Sequence, residues 1–202
     1  ARAEFLANSN TWQDALRAAF RNPPNNLTPW QISLPFLKLI DGNQTLLSQA
    51  LRAIWEEDEH SAPPTDLYGQ PAVDRVRAFI DTLRSDTGGT TGYSGGMIEV
   101  LGSCLLMAID PYNCPIYRAN PMRTAYQLTG SEAPSSSDQP IVKYAYAMEF
   151  LNEVKAQCGL RGVDIRDNLD SQSIIWWIAM NDPPEHWDQT TKEAFLRYRS
   201  GN

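Results

Sequence analysis

Between residues 105 and 126 the chain reads LLMAIDPYNCPIYRANPMRTAY. An apolar run stops at Asp110-Pro111, and Tyr112, Cys114, Tyr117, Arg118, Arg123 and Tyr126 follow closely. These residue types could supply a nucleophile, stacking rings and an anion clamp. Cys114 precedes Pro115 and has no histidine near it in sequence, so nothing obvious lowers its pKa. Tyr117 and Tyr126 can lay their rings on a core and show a hydroxyl to water. Arg118 and Arg123 are candidate anion contacts, joined further along by Lys143, Arg161 and Arg166. Salt bridges to the many carboxylates account for these cations equally well. The binding candidates are therefore Tyr117, Arg118, Arg123 and Lys143, with Tyr117 placed to stack on a base or pack on a partner.

Other chemistries fail on residue type or spacing. The chain has two histidines, His60 and His186, both in polar stretches. A Ser-His-Asp or Cys-His arrangement needs one of them. Glu185-His186-Trp187 lacks the i, i+4 spacing of a helical zinc pair, and no metal site is expected. Asp138 with Glu153-Val154-Lys155 has the residue types of a metal-dependent nuclease. That element works on a strand, where residues two apart share a side; on an amphipathic helix Glu153 and Lys155 diverge. Residues 85–96, SDTGGTTGYSGG, have glycines but no lysine after them and no strand before them. They read as a flexible loop rather than a phosphate cradle, and no cofactor is expected.

The elements around these residues are helical. In 202 residues, 42% are hydrophobic and 20% charged, enough for one domain with a sizeable core and no need of a disulfide or metal staple. Trp12, Leu16 and Phe20 form a stripe behind Thr11, and Asp14 gives the start a capping-box look. Thr28-Pro29-Trp30-Gln31 starts the next helix, Pro35 should break or kink it, and Gly42 should end it. From Asn43 the residues Leu46, Leu47, Ala50, Leu51, Ile54 and Trp55 make one apolar face, running into the acidic cluster Glu56-Glu57-Asp58-Glu59. Helices follow from Pro71, over Met97 to Ile109, from an Asn120-Pro121 cap to Gly130, and from Pro140 to Gly159. Asp167 or Asn168 caps the next, which carries Leu169, Ile174, Ile175, Trp176 and Trp177; at least one of the tryptophans should be core. A last amphipathic stretch reaches about Tyr198. The fold expected is all-α, about eight helices in an irregular bundle. It is read as a single helical domain over 1–202, with a subdivision available at 1–66 and 67–202.

Net charge is −7, which opposes a nucleic-acid partner unless a local basic face overrides it. No run approaches the roughly 18 apolar residues of a membrane span. Three cysteines, Cys104, Cys114 and Cys158, form no C-x-x-C pair, and the odd count points to a reducing, cytoplasmic setting. Cys104 lies in an apolar run and reads as a small core residue. The chain begins at Ala1 and is read as a fragment of a larger protein.

LGSCLLMAIDPYNCPIYR, then TAYQLTG, a polar loop, KYAYAMEFLNEVKAQCG and DNLDSQSIIWWIAM form a progression. It resembles the helical region ahead of the motor module in proteins related to the McrB subunit of modification-dependent restriction systems. Asp110-Pro111, Pro115 with Arg118, and Asp170 through Trp176 carry the resemblance, which covers roughly residues 70 to 180. It implies a non-catalytic recognition or accessory domain of a restriction or phage-defence protein. DNA or other subunits of the assembly are the partners it implies, with a protein-interaction or scaffold domain as the alternative. The motor of such proteins hydrolyses nucleotide and a partner nuclease cuts DNA; this chain has neither the P-loop lysine nor an acidic strand for a metal.

Overall fold

The computed structural model describes residues 1–21, 28, 30–56, 70–85 and 95–200. Ten helices and no strands lie among the described residues: α1 (Arg2–Leu6), α2 (Trp12–Arg21), α3 (Trp30–Gly42), α4 (Gln44–Trp55), α5 (Gln70–Arg84), α6 (Gly95–Leu106), α7 (Ala119–Thr129), α8 (Pro140–Leu160), α9 (Asn168–Met180) and α10 (Gln189–Ser200). The all-α expectation holds. None of the described helices is long and apolar enough to cross a membrane.

Local chemistry sets most helix ends. The Asn43 side chain accepts the Leu46 N–H at the start of α4, and Asp167 accepts the Asp170 N–H at the start of α9. Pro140 occupies the first turn of α8, where its missing N–H costs nothing. Gly130 ends α7 in the left-handed region with φ 69°. Four positions differ from the sequence reading. Pro35 lies inside α3 without ending it, because Ile32 before it and Phe36, Leu39 and Ile40 after it are all buried. Their burial outweighs the one hydrogen bond that proline removes. α8 continues past Gly159 to Leu160, and Gly162 makes the turn at φ 74°, with the Val163 N–H returning to the Cys158 carbonyl. The N-cap of α7 is Arg118, with no side-chain cap bond, rather than Asn120. The short helix α1, which has too few residues for a periodic signal, brings Phe5 against Trp12 and Trp55 at centroid distances of 5.2 and 5.7 Å.

The buried side chains form one cluster running from Phe5 to Ile175. α5 packs on α4, α6 and α8, and α9 packs on α7 and α8. Trp55 reaches across the core from α4 and donates its indole N–H to the Leu105 carbonyl of α6 at 2.8 Å. Arg75 of α5 donates to the carbonyls of Ile54 and Glu56, which the end of α4 leaves without helical partners. α5 and α6 approach closely at Gly102, where an added Cβ would lie 3.1 Å from Val76 and 3.2 Å from Phe79. Most of residues 57–69 and 86–94 are loop in the sequence reading; the acidic cluster beyond Glu56, His60 and the centre of the glycine-rich stretch fall outside the described residues.

Candidate functional site

The segment between α6 and α7 is a strap held from both sides. Asp110 accepts the N–H groups of Tyr112 and Asn113 and the Asn113 side-chain amide, which turns the chain after the apolar helix. Beyond the turn, α9 reads the backbone of the segment. The Leu169 N–H donates to the Tyr112 carbonyl at 2.9 Å, Asn168 to the Asn113 carbonyl at 3.1 Å, and Gln172 to the Ile116 carbonyl at 2.6 Å. On the α6 side, Ser103 Oγ accepts the Tyr117 N–H at 2.9 Å. Irregular backbone in the interior needs such partners for every N–H and C=O.

This geometry redistributes the sequence candidates. Cys114 is fully buried, and burial with Asp110 close by pushes its thiol up to about 12, the opposite of a nucleophile. Cys104, half-buried, is pushed to about 11 by burial. Tyr117 is 5% exposed, so its ring cannot stack on a base, and burial pushes its hydroxyl up to about 12. Tyr126 does not show its hydroxyl to water either: that oxygen is buried, while the ring packs on Phe150 at 4.8 Å. Arg118 is half-buried with its guanidinium over the Trp176 ring at 5.7 Å, and desolvation lowers its pKa. Arg123 is exposed on α7 and donates to Asn120 at 3.2 Å. Lys143 donates to the Ser136 carbonyl at 3.0 Å.

Glu99 of α6 is electrostatically linked to two of the candidates, Lys143 and Tyr117. Glu99 is 2% exposed, and burial pushes its carboxyl up to about 7 while the charges of Lys143 and Arg84 pull it down. Glu99 in turn raises the Tyr117 hydroxyl. Sequence reasoning passed over this carboxylate, although the signal was present: Glu99 is the only charged residue between Met97 and Ile109.

Several of the described cations are held by neighbouring groups. Arg17 pairs with Asp14 and Asp41, Arg52 with Glu56, Arg166 with Asp170 through two bonds of 2.8 and 3.0 Å, and Arg199 with Asp182. Arg161 is turned onto the carbonyl and side chain of Gln157. Glu153 accepts from Gln157, and no group of three or more His, Cys, Asp or Glu able to hold a metal occurs among the described residues.

What the structure places at the surface instead is aromatic. Asn168, Ser171, Gln172 and Ile175 are the buried side of α9, so that Ile174, Trp176, Trp177 and Met180 face outward. Neither tryptophan is core: Trp176 is 38% exposed and Trp177 37%. The expectation of at least one core tryptophan fails: the inner side of α9 is taken by Asn168, Ser171, Gln172 and Ile175. α9 thus turns polar side chains toward the strap and carries apolar ones on its outer side. Trp177 packs on Trp187 and Phe195 at 5.9 and 5.8 Å. Gln172, Ser173, Trp176, Trp177 and Asn181 line a hollow of about 260 Å³ beside it. No family model, curated protein or solved structure matches this chain.

Proposed function

We propose that this chain is a non-catalytic protein-interaction domain that docks through the outer face of α9. The observation that carries this reading is the exposed row of Ile174, Trp176, Trp177 and Met180 on a helix already packed on its other side. Trp and Met, with an arginine lying over one ring, are the types enriched at the centres of protein interfaces, and interface energy concentrates on such residues. The occupant proposed is another protein presenting an apolar helix or loop, since aromatic anchors fill matching apolar pockets. If the resemblance to McrB-related proteins holds, that protein is another subunit of the restriction assembly. The DNA reading is the weaker one, because Tyr117 is buried, the Arg118 guanidinium lies over the Trp176 ring, and Arg17, Arg166 and Arg199 are held in ion pairs.

The test compares the wild type with a Trp176→Asp, Met180→Asp variant, each purified from its own cells under native conditions. Proteins retained by the wild type and lost from the variant are expected, with both chains giving the same helical circular dichroism. An identical set with both would remove the proposal. So would tight duplex DNA binding that weakens steeply with salt and with Arg123→Ala, which would restore the DNA reading.

A further inference from the structure

We propose that α10 is a detachable strap over α9, released while the rest of the fold stays intact, and that its release enlarges the docking face. For that consequence the proposal rests on the docking role of α9. Four observations support the release itself.

None of the twelve residues of α10 is buried, so no core contact anchors the helix. Its attachments are few and solvent-accessible. Phe195 packs on Trp177 and on Trp187, at 5.8 and 5.7 Å. The Tyr198 hydroxyl donates to the Leu128 carbonyl at 3.1 Å, and Arg199 donates to the Asn181 carbonyl and to Asp182. Exposed ion pairs of this kind hold weakly. The third observation is what lies under the helix. Tyr198 borders an open groove of about 530 Å³ whose other walls include Leu128 of α7 and Phe150 and Val154 of α8. A helix that fills its seat would bury side chains there. The fourth is the connection, residues 181–188, which includes no helix. It lets α10 swing away without unwinding α9.

Once detached, a twelve-residue helix is marginal in water and its amides lose protection. Trp177 then loses the cover of Phe195 and joins Trp176 and Met180 as one continuous apolar strip. The partner proposed above would meet that larger strip, so α10 competes with it for the same ring.

Hydrogen exchange read by mass spectrometry on the full chain at neutral pH tests the release. Amides of residues 189–200 are expected to exchange at least about tenfold faster than those in the middle of α8. Arg199→Ala and Tyr198→Phe, both surface substitutions, are expected to speed α10 further and raise binding of an apolar dye, leaving α4, α5 and α6 unchanged. Exchange of α10 in step with α8 would overturn the proposal. Equal acceleration of every helix in the variants would overturn it too, since α10 would then open only by global unfolding. This readout involves no partner, so failure of the strap and failure of the docking face are separately visible.

Discussion

Gln172 of α9 donates its side-chain amide to the carbonyl of Ile116 at 2.6 Å, across 56 positions of sequence and in the protein interior. This bond, with those from Leu169 and Asn168, makes α9 the partner of a segment that has no secondary structure of its own. It also sets the rotation of α9. Turning Asn168 and Gln172 inward puts Trp177 on the outer side, whereas Trp176, one turn beyond Gln172 on the same stripe, is 38% exposed with the Arg118 guanidinium over its ring.

Gln172→Leu should therefore destabilise the fold although it raises hydrophobicity. It leaves the buried Ile116 carbonyl without a donor, at a cost of about 1–3 kcal/mol. Urea denaturation would show this as a lower midpoint at unchanged slope, while Ser173→Ala on the exposed side should change little.

Two adjacent residues of α9 should give opposite results. Ile175→Ala removes a side chain from the core and should cost about 2–5 kcal/mol. Trp176→Ala, although it deletes a larger side chain, should cost no more than about 1 kcal/mol, because its ring is exposed and held by the Arg118 contact. Thermal or urea denaturation of the two variants, measured side by side, decides the orientation assigned to α9.

Glu99 should make stability fall as pH rises. Its carboxyl lies near 7 in the folded chain against an ordinary value of 4.5, so the folded state binds the extra proton between these values. The resulting stabilisation is full below about 4.5 and is lost as pH passes through 7. Between pH 5 and 8 the wild type should lose stability on the order of 2 kcal/mol. Glu99→Gln, which cannot ionise, should lack that loss. A wild-type profile that rises or stays flat across the same window would show that Glu99 is ionised and paired in the folded chain.

Gly102→Val should separate α5 from α6. Its branched side chain would enter space where a single Cβ already lies 3.1 Å from Val76 and 3.2 Å from Phe79. Overpacking of this order costs about 1–3 kcal/mol, read as a lower melting temperature, whereas Gly42→Ala, with nothing within 4 Å, should be tolerated.

The order of helices was readable because helix formation leaves a periodic trace of apolar residues and local signals at the ends. Leu46 to Trp55 behind Asn43 is such a trace, and α4 occupies it. Pro140 and Gly130 were readable for the same reason, since their effect on the backbone needs no distant partner. Pro35 does not break α3 because burial against other helices holds it together, and periodicity does not weigh that burial against one missing hydrogen bond. The functional residues depended still more on distant contacts. Tyr117 looked available and is buried, Glu99 looked unremarkable and is a buried acid, and of Trp176 and Trp177 at least one looked like core while both are exposed. Apolar pattern says that a residue prefers to leave water; which of several apolar residues succeeds depends on the rotation of its helix. In α9 that rotation is set by hydrogen bonds to Tyr112, Asn113 and Ile116, carbonyls more than fifty positions away.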